Sequence, residues 1–504
     1  MNQALLTGFA SVLMSPSCLL YCCAGTVIGI IFGSIPGLST SMAMVLFLPL
    51  SFALNTVHGV SLLIGLFTGG MSGGLISAIL LKMPGTPAAV STVFDGGPMA
   101  ERGEGGRAIG IGILYSFIGG TFSILSLVLL APQLSALALK FTSVDYVAVY
   151  VFAMTIIGGL SGKSIINGLI SGCIGLLLGC VGVAPLDSIN RLTFGYRKLN
   201  AGISEVALII GFYAVAEVFT YAFHFKEEQI RPRAKTVKIR GFGIGIIEFI
   251  KNIRCALLSS FIGIVIGILP GIGGGVAGLV SYSVNKSVSA DGDKFGTGIA
   301  EGVIASETAN NATIGSSIIP MLTMGIPGST TAALLMSGLI IKGVTPGPLI
   351  IQKNGELVYA IYAALLVTNL MMLVFERLGI NLFVKVLDVP RNILLPIVLC
   401  LCTIGAFSNA NNTFEVIVIF VIGVMAYLLL KAKIPLSPCL IGFILGGDFE
   451  TELRQAVIAT HGDYSVFLTR PIACGFLAAT VVSVALIVFQ RYRAQKKECG
   501  TQQA

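Results

Sequence analysis

The sequence predicts an all-α, polytopic integral membrane protein made of two structural repeats with broken helices, and three observations predict it. The chain is 55% hydrophobic and 11% charged, its mean hydropathy is +0.94, and no Asp, Glu, Lys or Arg precedes Lys82. A bilayer crossing takes about 20 mainly apolar residues, and uncharged stretches of that length or more occupy 1–81, 108–139, 255–285, 308–341 and 471–490. Twice, in opposite halves, a glycine-laddered apolar stretch runs into a Pro-Gly break and then on as apolar sequence: Gly29-Ile-Ile-Phe-Gly33-Ser-Ile-Pro36-Gly37 and Gly263-Ile-Val-Ile-Gly267-Ile-Leu-Pro270-Gly271.

Further span candidates lie near 144–160, 164–184, 201–223, 356–375, 392–408 and 414–430. Together these give roughly 11–13 crossings or re-entrant pieces, with boundaries set only to a few residues. Met1 to Ser15 carry no basic residue, so a cleaved signal peptide is not expected. The net charge of +8 would suggest nucleic acid in a soluble protein, but here it is concentrated. Lys226, Arg231, Arg233, Lys235, Lys238, Arg240, Lys251 and Arg254 form a connector, and Arg491, Arg493, Lys496 and Lys497 a tail. Both are expected on the cytoplasmic side. The expected organisation is a first transmembrane repeat over 1–224, a basic connector over 225–254, a second repeat over 255–490 and a tail over 491–504. The eleven cysteines lie mostly inside apolar runs and the three histidines, His58, His224 and His461, are scattered. Neither set has metal-site spacing.

Each half carries a second break: Lys82-Met83-Pro84-Gly85-Thr86-Pro87-Ala88-Ala89 and Gly325-Ile326-Pro327-Gly328-Ser329-Thr330-Thr331. Two motifs recurring in the same order argue for internal duplication. Orientation depends on whether a half has an odd or even number of crossings, and the inverted arrangement is expected. A proline break frees backbone polar groups at a depth where lipid offers no partner, so something polar belongs there. Paired broken helices in matching positions are the mark of a secondary transporter. Thr86 reads as an N-cap with Pro87 as first helical residue, so a helix from Ala88 would aim free N–H groups at the Pro84-Gly85 turn, a place suited to anions. Gly328-Ser329-Thr330-Thr331 offers the same with three hydroxyls. The candidate substrate residues are Pro36, Gly37, Ser39, Thr40, Pro84, Gly85, Thr86, Pro87, Gly271, Gly273, Pro327, Gly328, Ser329 and Thr330, with the two second breaks expected close together.

Between the second-half breaks, Ser306, Glu307, Asn310, Asn311 and Thr313 supply oxygen ligands of the kind hard cations prefer, and Na⁺ suits the set. A carboxylate at depth costs about 2.5–3.5 kcal/mol on insertion scales, which makes Glu307 a functional candidate, while Glu301 also fits a helix-start anchor. Two motif matches are refused. Gly273-Gly274-Gly275-Val276-Ala277-Gly278 fits a dinucleotide fingerprint but has no βαβ setting, and Gly158-Gly159-Leu160-Ser161-Gly162-Lys163-Ser164 is one residue short of a P-loop. No catalytic pairing at membrane depth is evident, so the chain is not read as an enzyme.

Several of these runs resemble the large membrane subunit of tripartite tricarboxylate transporters, the TctA family. They are Gly33-Ser-Ile-Pro-Gly-Leu-Ser39, Lys82-Met-Pro-Gly-Thr-Pro-Ala-Ala89 with Asp95-Gly-Gly-Pro-Met-Ala100, Glu301-Gly-Val to Glu307-Thr-Ala-Asn-Asn-Ala312, and Gly325-Ile-Pro-Gly-Ser329, with further likeness at Arg191–Gly195, Ile441–Gly446 and Phe467–Pro471. Gly97 departs from the tyrosine that many relatives carry. The resemblance implies a permease in a bacterial inner membrane that works with a small membrane subunit and a periplasmic solute-binding protein. It implies import of a di- or tricarboxylate, citrate-like, by symport with Na⁺ or H⁺ as coupling ion and with no cofactor. A stand-alone carrier or channel for another substrate class is the alternative reading, and an intramembrane enzyme a remote third.

Overall fold

The computed structural model describes residues 2–36, 38–160, 164–184, 187, 189–223, 245–386, 395–397, 399–400, 403–404, 407 and 412–485. Gly37, His224, most of the basic connector and the tail lie outside the described residues. In chain order the helices are α1 Asn2–Leu13, α2 Pro16–Ser34, α3 Thr40–Ala53, α4 Thr56–Leu80, α5 Thr92–Glu101, α6 Gly105–Ala138, α7 Ser143–Leu160, α8 Ile165–Gly179, α9 Glu205–Ile210 and α10 Ala216–Phe223. They continue with α11 Ile246–Lys251, α12 Ile253–Ile268, α13 Gly273–Val288, α14 Ala300–Met324, α15 Thr330–Ile341, α16 Ile350–Lys353, α17 Gly355–Val386, α18 Thr413–Lys431, α19 Leu436–Ala459, α20 Val466–Thr469 and α21 Pro471–Ala485. A two-residue strand pair, Gly182–Val183 with Asn190–Arg191, is the sole sheet among the described residues. The fold is all-α.

Among the described residues six helices are long and apolar enough to cross a membrane: Pro16–Ser34, Thr56–Leu80, Gly105–Ala138, Glu205–Phe223, Gly355–Lys385 and Thr413–Lys431. Helix α14 falls outside that set because Ser, Thr, Asn and Glu lower its hydropathy. It is nevertheless buried without interruption from Gly302 to Thr323, so protein rather than lipid surrounds its polar groups.

Two compact units form, and each draws on both sequence halves. One joins Met1–Ala136 to Ile209–Tyr427, the other Leu137–Leu208 to Leu428–Ala504. In the smaller unit, Val144, Val147, Ala148, Ala456 and Ala473 form a small core. There the buried Asp145 carboxylate accepts from the Arg470 guanidinium at 2.8 Å, the Thr142 N–H at 2.9 Å and the Ala473 N–H at 3.1 Å, which leaves no oxygen of that buried acid unsatisfied.

In the larger unit the glycine ladder does what four-residue spacing allows. Gly25, Gly29 and Gly33 lie against the α4 carbonyls of Leu62, Leu66 and Gly70, and Gly263 and Gly267 lie against α14 at Ala309 and Ser316. Helix starts follow local rules: Ser15, Ser39, Asn55 and Ser329 each accept from the backbone N–H three residues on, at 3.3, 3.1, 2.8 and 3.1 Å. Helix α14 ends at Gly325, whose φ of +72° closes a turn in which Ile326 N–H bonds the Pro320 carbonyl at 3.3 Å.

Helices α4 and α14 run antiparallel. The Asn310 amide donates to the Met71 carbonyl at 3.3 Å, a Cβ on Gly112 would touch both Leu75 and Glu307, and Ile76 and Ile79 share an apolar cluster with Val303 and Ile304. Going forward along one is going back along the other.

Candidate functional site

Each first break ends one helix and starts another within a few residues. In the first half α2 stops at Ser34, Ile35 is extended, and Ser39 caps α3. In the second half α12 stops at Ile268, and Gly271 and Gly273 take φ of +75° and +72°, a region that an L side chain rarely adopts, before α13 begins. The second breaks fold back onto these turns. Gly328 N–H donates to the Ser317 carbonyl at 3.0 Å and the Gly328 carbonyl accepts from Gly271 N–H at 2.9 Å. A Cβ on Gly328 would collide with the Gly267 carbonyl oxygen, and one on Gly85 with the Gly33 carbonyl oxygen. The same close approach thus occurs in both halves.

The two second breaks flank one short segment. Gly271 bonds Gly328 on one side, and a Cβ on Gly275 would lie 2.8 Å from the Pro87 carbonyl oxygen on the other. The segment Gly271–Gly275 therefore stands between Pro327-Gly328 and Pro87-Ala88. One local expectation needs correction. The helix after Thr86 is only a 3₁₀ turn, Pro87–Ala89, with α5 starting at Thr92, and the Thr86 side chain makes no capping bond. Backbone bonds there run from i to i−3, Ala89 N–H to the Thr86 carbonyl at 3.0 Å and Phe94 N–H to the Ser91 carbonyl at 3.2 Å, so the chain tightens into short pieces in place of one long helix.

That difference frees the Thr86 hydroxyl. Its Oγ1 is buried, has no hydrogen-bond partner and lies against Gly74. The Thr40 Oγ1, also buried and without a partner, lies against Gly70. Gly70 and Gly74 are one turn apart on α4, so the two hydroxyls are displaced by about 6 Å along the helix axis. Pro84 and Pro87 are exposed, and Pro36, Ser39, Gly271, Gly273 and Thr330 are half-buried, while Gly85, Pro327, Gly328 and Ser329 are buried.

The proposed cation ligands divide between two faces of α14. The Asn310 amide holds the Met71 carbonyl, and its buried Oδ1, unpartnered, points at Gly274 beside Thr313 Oγ1. The Asn311 amide donates instead to Ser116 Oγ on α6 at 2.8 Å and to the Glu307 carbonyl at 3.0 Å, and its Oδ1 is also unpartnered. Ser306 and Thr313 donate their hydroxyl protons to the carbonyls of Gly302 and Asn310, at 2.9 and 2.7 Å, so only their lone pairs face outward. Glu307 is fully buried and accepts from Thr92 and, at 3.1 Å, from Ser116. Glu301, half-buried at the start of α14, accepts from Ser289.

Three partners of this site were not among the candidate residues, and of them only Asp95 lies in a run that carries the family resemblance. Thr92 and Ser116, which hold Glu307, sit in apolar runs with nothing to mark them. Asp95 is fully buried and accepts from Tyr282 Oη at 2.8 Å and from the N–H groups of Gly296, Gly298 and Ile299 at 3.0, 2.7 and 3.0 Å, so it ties α5 to the approach of α14.

A family model described as "Tripartite tricarboxylate transporter TctA family" matches residues 19–441. The chain is 33% identical over 489 residues to an Agrobacterium vitis protein described as the "uncharacterized 52.8 kDa protein in TAR-I ttuC' 3'region", covering 97% of this chain and 96% of the relative. It is 38% identical over 205 residues to the "uncharacterized protein in TAR-II ttuC' 3'region" of the same organism, covering 41% of this chain and 85% of the relative. No solved structure matches.

Proposed function

Since the chain belongs to the tripartite tricarboxylate transporter TctA family, we propose that it is the permease subunit of a binding-protein-dependent secondary transporter that imports a di- or tricarboxylate, citrate-like in class, with Na⁺ or H⁺. The observation that carries this reading is the pair of buried, unpartnered hydroxyls of Thr40 and Thr86 beside helix breaks. Buried hydroxyls without partners are costly, and a carboxylate is an acceptor that satisfies them. Ser39, Ser329 and Thr330 add helix-start N–H groups and hydroxyls, where anions are favoured. Pro36, Pro84, Gly85, Pro87, Gly271, Gly273, Pro327 and Gly328 shape the turns so that backbone approaches the ligand; Gly37, a candidate on sequence alone, lies outside the described residues.

In the Na⁺ case the candidate oxygens form two groups, Ser306, Asn310 and Thr313 at helical spacing on one face of α14 and Glu307 with Asn311 on the other, and the Asn310 and Asn311 carbonyl oxygens lack any protein donor. A small membrane subunit and a periplasmic binding protein complete the system in the inner membrane of a bacterial cell, and the binding protein delivers the carboxylate. The test is uptake of labelled citrate and other carboxylates into proteoliposomes holding the permease with its small subunit, with binding protein added or omitted, under imposed Na⁺ or pH gradients. Gradient-driven accumulation that requires the binding protein supports the reading. Accumulation without it points to a stand-alone carrier, and no carboxylate uptake under any gradient overturns the proposal.

A further inference from the structure

Glu376 stands apart from every residue assigned so far. It lies on α17, within the stretch Gly355–Lys385 that is long and apolar enough to cross a membrane, and its side chain is fully buried. One carboxylate oxygen accepts from Ser72 Oγ on α4 at 2.8 Å, and the other, Oε1, has no hydrogen-bond partner. Among the described residues no Lys, Arg or His forms an ion pair with it. Thr68 and Thr368, 3.2 Å apart between the same two helices, hold α4 against α17. One turn further along α17, Ile380 and then Phe383 join an apolar cluster with Leu75, Ile79 and Ile109.

An ionised carboxylate in such a place has one donor and no counter-ion, which is far costlier than the neutral acid. A purely structural role needs no acid, because a glutamine accepts from Ser72 equally well at no electrostatic cost. The atom left without a partner, Oε1, is where a proton resides in the neutral form.

Resting on the carrier reading above, we propose that Glu376 carries the proton that this permease moves with its substrate, and that Ser72 steadies the carboxylate left when the proton goes. In the release step the O–H bond at Oε1 breaks, its electron pair stays on the carboxylate, and the proton passes to water admitted between α4 and α17. The reverse step reloads it from the other side. The titratable and charged groups on the elements around it are Glu301 and Glu307 on α14, Tyr115 and Arg107 on α6, Cys18, Tyr21, Cys22 and Cys23 on α2, His58 at the far start of α4, Lys353 on α16, and Glu356, Tyr359, Tyr362, Arg377 and Lys385 on α17 itself.

The experiment uses the permease with its small subunit and binding protein in proteoliposomes containing a trapped pH dye, with labelled citrate as probe. Wild type, Glu376→Gln and Ser72→Ala are compared in three readouts: pH-driven accumulation, substrate-coupled proton uptake, and citrate exchange at equal pH. Glu376→Gln is expected to lose accumulation and proton uptake by about tenfold or more while exchange stays within about twofold, because a permanently neutral side chain removes the differential binding that links the gradients. Ser72→Ala is expected to keep coupled uptake but to move its pH midpoint upward by about half to one unit, the equivalent of one hydrogen bond to the charged form. Proton uptake that persists in Glu376→Gln overturns the inference, as does a Ser72→Ala profile identical to wild type. Wild-type citrate uptake without proton movement overturns it and leaves the carrier reading intact. Absence of carboxylate uptake by wild type removes the carrier reading itself.

Discussion

Adding a single methyl group at Gly328 perturbs the point where the second break meets the first. A Cβ there would lie 2.7 Å from Ser317 Cα and 2.9 Å from Ser317 Cβ, as well as against the Gly267 carbonyl, and backbone neighbours of that kind cannot rotate away. Overpacking of this sort costs about 1–3 kcal/mol. The residue is also pinned by two backbone hydrogen bonds, to Ser317 and from Gly271, at 3.0 and 2.9 Å. Each loses about 0.5–1.5 kcal/mol if the turn shifts to make room, so the penalty on the native turn is about 2–6 kcal/mol. Even the low end corresponds to roughly 30-fold in the population of the correct conformer. Gly328→Ala is therefore expected to raise the half-saturating carboxylate concentration by at least about 30-fold, or to abolish uptake, in protein that still inserts and elutes as a single species. Gly85→Ala is expected to match it, since Gly85 meets the Gly33 carbonyl and Gly74 in the same way. Gly447→Ala is the control: it lies in α19 with nothing within 4 Å of a new Cβ and should be neutral. Uptake by Gly328→Ala equal to that of Gly447→Ala would refute the close-approach argument.

Further outcomes are expected at neighbouring positions. In the Na⁺ case Asn310→Ala, which removes an unpartnered buried oxygen, should raise the Na⁺ concentration for half-maximal uptake in a sodium titration. Asn311→Ala should do so too and also lower thermal stability, since its amide holds Ser116; unchanged sodium dependence in both variants, at normal protein levels, would make them packing residues. Ser329→Ala loses the cap on Ala332 N–H and should weaken uptake by about 0.5–2 kcal/mol, the usual worth of an N-cap, against no change if the cap is unimportant. Single cysteines at Arg233 and Gln495 in a cysteine-free background should resist impermeant labelling from the periplasm of intact cells, because basic segments beside spans stay inside; labelling of either one contradicts that topology.

The fold class was legible because its causes are local. Apolar length, the glycine ladder and the Pro-Gly breaks are properties of short segments, and Gly25, Gly29 and Gly33 pack on α4 as their spacing requires. The site was legible in its parts and not in its assembly. Asn310 and Asn311 look like one ligand pair in sequence, yet adjacent helical positions face about 100° apart, which sends one amide to α4 and the other to α6. Thr86 looked like an ordinary N-cap, and only tertiary packing against Gly74 shows its hydroxyl unused. Glu376 escaped notice because the apolar run 356–375 ends one residue before it, so the acid reads as a polar flank. The helix in fact continues to Val386, and the acid lies well inside it.

The antiparallel course of α4 and α14 favours the inverted arrangement that span counting left open, and we propose it on that ground. Both helices precede a second break, and each supplies the residue against which that break's glycine packs, Gly74 for Gly85 and Ser317 for Gly328. Repeats related by an axis along the membrane normal would place such equivalent helices parallel, whereas an axis in the membrane plane would make them antiparallel, the course that the contacts of α4 and α14 follow. The first break of the second half then reaches the second break of the first half, as Gly275 does at Pro87, and α3 packs on α15 in the reciprocal manner. Two halves of opposite orientation that share one set of turns would exchange roles at nearly equal energy. That near-equality is what an alternating carrier needs, because a ligand shifts an equilibrium only by its differential affinity for the two states.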